Sequence, residues 1–365
     1  MQLLSMDVFS QTRRSHVYTS DNGYELVDVL PSKKNKVKNV ILMIGDGMGL
    51  THSSSAWVAN RGKLNMVDRT MHVGLTKTYC EDQLITDSGA AGTAIATGVK
   101  AKYHSVGVDV GNKPMDSLTD LAKAKGLSTG IVVTCGLTDA TPACFVSNNK
   151  ERENEEEIAL GYLDSNLDVV FGGGRRQFNR RSDKRDLLKE LDQKGYHVVS
   201  SLEEAKIYQG ERLFAVVEEG QIPLAMERKD EFQDAVNMAI THLDRNKRGF
   251  FAMFESSRID DCGHANNVGD LIEEIFDFDQ AVGQVLKWAE LDGETLVIIV
   301  ADHETGGLTL NGGDLSKGEV DVDFQNGGHS GVMVPIYTYG PMSDSFSGVM
   351  ENTDIFVNIV RILKL

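Results

Sequence analysis

The sequence predicts an α/β fold, a three-layer α/β/α sandwich around a mostly parallel central sheet. Three observations carry that expectation. The runs VKNVILMIGD (37–46), GFFAMFE (249–255) and TLVIIVADH (295–303) are apolar without alternation, as strands covered on both faces must be. Each run stops on groups that can bind metal, namely Asp46, Glu255, and Asp302 with His303. Ligands of open α/β sheets sit outside the carboxyl ends of the strands, so these ends can converge on one polynuclear metal centre. Between the runs, helix-like and strand-like segments alternate with no internal repeat, the order of a doubly wound sheet.

Taken in order, residues 1–36 form a polar N-terminal arm with a basic stretch, Ser32-Lys33-Lys34-Asn35-Lys36. Residues 37–365 read as one domain, since no Pro/Gly/Ser-rich linker divides them. Residues 115–125 have a helical pattern, 130–134 (GIVVT) a strand pattern, 151–163 a helical one and 168–171 a strand one. The charged segment 175–231 reads as a peripheral helical excursion, because KRDLLKELDQKG spaces its apolar residues helically and ends on Gly195. Residues 231–243 and 270–291 are helices. The glycine-rich stretch 305–331 is a loop with a short hairpin, and it delivers His329. GVMVPIYTYGP is the last core strand, and a C-terminal helix begins at Asn352.

Composition narrows the function. A formal charge of -17 argues against nonspecific nucleic-acid binding, which draws its affinity from Lys and Arg. A phosphate ligand stays compatible, since bound divalent cations invert the local field. No apolar run reaches the ~18 residues of a membrane span. The four cysteines (Cys80, Cys135, Cys144, Cys262) form no C-x-x-C pair and read as buried free thiols. MQLLSMDVFSQTRR lacks the order of a secretory signal, with its basic pair after the apolar stretch.

Asp46 sits inside GDGMG, where glycines permit a sharp turn close to a ligand. A dinucleotide fingerprint fails there, because position 50 is Leu50 and a carboxylate in the turn would repel a pyrophosphate. FESSRIDDCGHANN offers Glu255, Asp260 and His264 within ten positions. With Asp46, Asp302, His303 and His329 this makes seven carboxylates and imidazoles, more than one tetrahedral ion needs. Mixed N/O ligands suit zinc and oxygen ligands suit magnesium. In ITDSGAAGTAIATG, Ser88 precedes a small-residue helix whose N-terminus favours an anion. With no histidine neighbour in sequence, its activation falls to a metal.

These motifs together resemble the alkaline phosphatases of compact bacterial type. VILMIGDGMG, TDSGAAGTA, DATPA followed by an arginine, ExxxxDxxxH, ADHETGG and GGHSG occur in the family's order from Val37 onward. The resemblance implies a phosphate monoesterase working through a phosphoserine on Ser88, with Arg152 binding the phosphate. It implies two zinc ions, one held by Asp260, His264 and His329, the other by Asp46, Asp302, His303 and Ser88. It implies one magnesium held by Asp46, Thr141 and Glu255. Asp139 and Asp261 would lie beside that third site and, as acids, bias it to magnesium. A homodimer and a periplasmic or extracellular location are also implied by the family, although the chain shows no export signal and a cytoplasmic location stays open. From spacing alone Arg152, in NNKERENEEEIA, would pass for a solvated helix face. Competing expectations are a phosphodiesterase or phosphonate hydrolase of the same superfamily, and a noncatalytic phosphate- or metal-binding protein.

Overall fold

The computed structural model describes residues 16–31 and 36–365. The MQLLSMDVFSQTRR stretch and residues 32–35 of the basic stretch lie outside the described residues. A ten-stranded sheet forms the centre. Its strands run, edge to edge, Gly348–Glu351, His72–Lys77, Val334–Tyr339, Thr295–Val300, Asn39–Gly45, Phe250–Ser256, Ser128–Gly136, Val169–Gly173, Leu213–Val216 and His197–Val199. Only Val334–Tyr339 runs against the others, pairing antiparallel with both neighbours.

The three apolar runs occupy adjacent places in the middle of this sheet, and their alternation is hidden because both faces are covered. Ile41, Met43, Phe250, Ala252, Phe254, Val297 and Ile299 point into one core. There they pack under the helices Leu50–Ala59, Glu231–Leu243 and Val268–Asp292. Val40, Leu42, Ile44, Phe251, Met253, Ile298 and Val300 point into the other. That side is covered by Ser88–Thr97, Leu118–Ala124, Glu155–Asp164 and Thr353–Leu363. The expected three-layer sandwich is therefore the observed one.

Register then fixes the site. Ile44 pairs with both Glu255 and Val300, so Asp46 and Asp302 each lie two residues past a common level. Glu255 stands at that level, inside the strand.

Two expectations change. Segment 175–231 is not simply helical: among its short helices it inserts His197–Val199 and Leu213–Val216, which complete one side of the central sheet. Leu213, Phe214, Ala215 and Val216 are fully buried, so the charge of the segment marks only its outer surface. The stretch 305–331 is more sheet than loop, with Leu308–Asp314 and Glu319–Phe324 forming a hairpin. The described part of the arm joins that hairpin through His16–Thr19. Tyr18 in this strand, and Ser20 and Asn22 just past it, donate to Glu273 at 2.6, 2.6 and 2.9 Å.

Candidate metal centre and phosphate site

Past the end of Asn39–Gly45 the chain turns at once. Met48 N donates to Gly45 O at 3.1 Å, and Gly47 takes a φ of 70°. A side chain at Gly47 would meet the Asp260 backbone at 3.0 Å, so this glycine lets the turn approach the helix Arg258–His264. The turn leaves Asp46 almost buried with no hydrogen-bond partner for Oδ1. Asp302 Oδ1 accepts from Gly47 N at 3.1 Å and His303 N at 2.9 Å, which leaves Oδ2 without a hydrogen bond. His303 Nε2 stands 3.5 Å from Asp46 Oδ1, 3.2 Å from Asp302 Oδ2 and 3.2 Å from Ser88 Oγ. Four potential ligands thus face one point.

A second group stands beside it. Asp260 and His264 lie on one turn of the helix Arg258–His264, with Asp260 Oδ2 3.2 Å from His264 Nε2. His329 comes from the two-residue strand His329–Ser330, paired with Glu304–Thr305 directly after His303. His264 Nδ1 lies 2.8 Å from Gly327 O, and His329 Nδ1 lies 2.8 Å from Thr86 O. Carbonyls can only accept, so both rings carry a proton on Nδ1 and turn their Nε2 atoms toward each other at 3.1 Å. Two Nε2 atoms this close, beside Asp260, need a proton or a metal cation between them. Such carbonyl partners are the outer contacts that orient metal-binding histidines. The two groups adjoin, since the His303 and His329 rings stack at 3.6 Å.

The third set is made of oxygens. Glu255 is fully buried with Oε1 unpartnered, and Thr141 Oγ1 is likewise buried without a partner. Burial, then the charge of Asp139, pushes the Glu255 carboxyl up to about 8. Burial and the carboxylates of Asp302, Asp260 and Glu255 raise Asp46 as well. At Asp46 and Glu255 burial and like charge favour the protonated carboxyl, and a bound cation would favour the ionised one. The donor sets fit: N and O for zinc-like ions at the first two groups, oxygen alone at the third.

Ser88 opens the helix Ser88–Thr97, but Asp87 caps it, accepting from Gly89 N at 3.1 Å and Ala90 N at 3.2 Å. Ser88 is therefore not the cap, and its Oγ is free to face the cluster. Its neighbour His303 is 215 residues away in sequence, which is why no histidine partner was visible there. Arg152 is not on a solvated helix face either. The helix begins only at Glu155, and the Arg152 guanidinium turns inward, donating to Asp87 Oδ2 at 3.1 Å and Asp139 Oδ1 at 3.0 Å. Asp139 makes its direct bonds to Arg152, Ala140 N and Gln221. Asp261 is half exposed and paired with Arg258 at 2.6 Å.

Sequence reasoning passed over Asp87, Thr305 and the pair His52 and Glu304. Asp87 was legible as an acid before a helix start. Thr305 Oγ1 bonds Asp260 and lies 3.3 Å from His303 Nδ1, tying the two histidine groups together. His52 is buried beside Glu304 at 3.9 Å, and burial lowers it to about 4.

All four cysteines are free and buried, as expected. No helix among the described residues is long and apolar enough to cross a membrane.

The family model of alkaline phosphatase matches residues 37–320. Alkaline phosphatase 4 of Bacillus subtilis is 32% identical, over 91% of this chain and 90% of its own length. The alkaline phosphatase of Escherichia coli K12 is 30% identical over 95% and 90%. Among solved structures, alkaline phosphatase from the Antarctic bacterium TAB5 superposes with a TM-score of 0.85 at 36% identity, covering 90% of this chain and 99% of that one. A variant of that enzyme carries magnesium in a site called M3. The chain belongs to the alkaline phosphatase family, enzymes that hydrolyse phosphate monoesters with the help of bound metal.

Proposed function

We propose that the reaction runs through a phosphoserine on Ser88. The observation that carries this reading is the placement of Ser88 Oγ, 3.2 Å from Nε2 of His303, which is grouped with Asp46 and Asp302, with Arg152 tied to the adjacent Asp87. In this reading Asp260, His264 and His329 hold one zinc, Asp46, Asp302, His303 and Ser88 hold a second, and Asp46, Thr141 and Glu255 hold magnesium. When bound, these ions supply Lewis acidity, charge neutralisation and a lowered pKa for coordinated oxygens.

The side chains do the rest. Arg152 grips two phosphate oxygens with N–H groups left over from Asp87 and Asp139, since a guanidinium has five donors. Ser88 Oγ attacks phosphorus in line, the bond to the ester oxygen breaks, and the alcohol leaves with a proton. Water then attacks the phosphoserine from the vacated side, Ser88 Oγ regains a proton, and inorganic phosphate departs. The Asp87 cap holds the helix start so that Ser88 keeps its aim through both displacements. A homodimer and export from the cytoplasm belong to this reading on family resemblance, and light scattering and fractionation test them.

Ser88→Ala tests the chemistry. Turnover of an aryl phosphate monoester should fall at least about a thousandfold, as when a nucleophile is deleted, and labelled phosphate should no longer attach. Metal content should stay near wild type. Full turnover by the variant, or preference of the wild type for the matching diester, would overturn the reading.

A further inference from the structure

The charged segment 175–231 lines the Arg152 side of the site with Arg176, Gln177, Gly220 and Gln221, and Gln221 is bonded to Asp139. Its loop is pinned on both sides: Arg175 N donates to Glu218 O at 2.9 Å, Gly174 N to Gly220 O at 2.7 Å, and Ile222 N to Thr134 O at 3.2 Å. Ile222 itself is buried. Gln221, although exposed, is therefore presented from a fixed backbone. Its Oε1 accepts from Gly136 N at 3.0 Å, at the end of the central strand Ser128–Gly136. That bond fixes which end of the amide faces outward, because a backbone N–H can only donate. The Nε2 end then donates to Asp139 Oδ2 at 3.2 Å.

Asp139 joins Gln221 to the phosphate arginine. With Oδ2 taken by Gln221, Oδ1 accepts from Ala140 N at 2.7 Å and from Arg152 Nη2 at 3.0 Å. The last torsion of a carboxylate is broad, and engaging the second oxygen narrows it further. A cavity of about 140 Å³ opens on this side, bordered by Asp139, Arg152, Glu153 and Gln221, so water can compete for either oxygen. Glu153 also adds a carboxylate on that side, drawn instead to His104 at 3.1 Å. The other half of the Arg152 clamp, Asp87, is buried and cannot compensate, being already bonded to three backbone N–H groups.

We propose that Gln221 is a positioning residue for phosphate binding: it locks the rotamer of Asp139, and through it the guanidinium of Arg152, to the edge of the central sheet. The proposal rests on Arg152 being the phosphate-binding group. It gives segment 175–231 a function in the site and predicts that replacement of Gln221 weakens phosphate capture without touching a metal-binding group.

The test is a double-mutant cycle in the metal-saturated protein, with Gln221→Ala, Arg152→Ala and the pair. Inorganic phosphate is the probe, titrated directly and as a competitive inhibitor, and kcat and KM for an aryl phosphate are measured beside it. Gln221→Ala should weaken phosphate binding about three- to tenfold, the range of one lost hydrogen bond, and raise KM more than it lowers kcat. Gln221→Glu should be at least as harmful, because it sets a carboxylate against Asp139. In the Arg152→Ala background the same changes should have no effect. Phosphate binding unchanged by Gln221→Ala, or an equal loss in both backgrounds, overturns the positioning role. Full phosphate binding by Arg152→Ala instead refutes Arg152 as the phosphate group, a separate failure of the underlying reading.

Discussion

Asp87 stands where helix, loop and Arg152 meet, and its removal has a calculable cost. The carboxylate is 2% exposed and accepts four hydrogen bonds: Gly89 N at 3.1 Å, Ala90 N at 3.2 Å, His104 N at 3.0 Å and Arg152 Nη1 at 3.1 Å. In Asp87→Ala, loss of the helix cap costs about 1 kcal/mol. Leaving the part-buried His104 N–H without its acceptor costs about 1–2 kcal/mol, and the charged bond to Arg152 about 1.5–3 kcal/mol. These share one carboxylate and do not simply add, so the expected destabilisation is about 3–5 kcal/mol. Asp87→Asn should fall between, since its single oxygen can serve Ala90 and His104 while its NH2 is turned on two donors, Gly89 N–H and Arg152.

Urea unfolding in the presence of chelator measures this, because bound metal would otherwise add its own linkage to the difference. The sign with pH is fixed. Burial raises the Asp87 pKa, but the His104 N–H and Arg152 outweigh it and hold the group below its ordinary value. Its charge-dependent stabilisation is therefore present above the unfolded-state pKa, near 4, and is lost as pH falls through the lower folded value. The gap between wild type and Asp87→Ala should be widest at neutral pH and shrink on acidification. A gap below about 1 kcal/mol at pH 7 would refute the reasoning, which sums bonds worth several times that. A gap that widens toward acid would refute it too.

Arg152→Lys should lower kcat/KM about ten- to a hundredfold, mostly through KM, because a point charge cannot serve two carboxylates and two phosphate oxygens together; steady-state kinetics decide it. Thr305→Val removes the hydroxyl that bonds Asp260 and approaches His303 Nδ1, and should weaken zinc affinity about ten- to a hundredfold by competition against a calibrated chelator. Gly49→Ala would set a methyl 2.3 Å from Glu304 Cγ. Since Glu304 is buried and held by Leu308 N at 2.9 Å, the strand carrying Thr305 must shift, with a stability loss of about 1–3 kcal/mol in denaturant titration.

How much of the fold and site was legible in the chain depends on what each residue uses to act. The strands Asn39–Gly45, Phe250–Ser256 and Thr295–Val300 were readable because burial on two faces leaves no choice but apolar residues, and each carries an acid at its carboxyl end or within two residues past it. His72–Lys77 and Gly348–Glu351 escaped notice, since at the sheet margin their residues are part exposed and the composition is mixed. The two strands inside 175–231 were hidden by their shortness and their charged flanks. In the site, the seven carboxylates and imidazoles announced themselves by side-chain type. Their orientation did not, because it depends on the carbonyls of Thr86 and Gly327, which every residue possesses. Arg152 shows the limit most clearly. Its neighbours in sequence are the glutamates of a solvated helix, and its partners in space are Asp87 and Asp139, 65 and 13 residues away. What separates this inward-turned arginine from a surface one is thus not the residue or its local context but which acids the fold brings to hold it, and the bond from Gln221 to Asp139 ties a segment that reads as peripheral to the same arrangement.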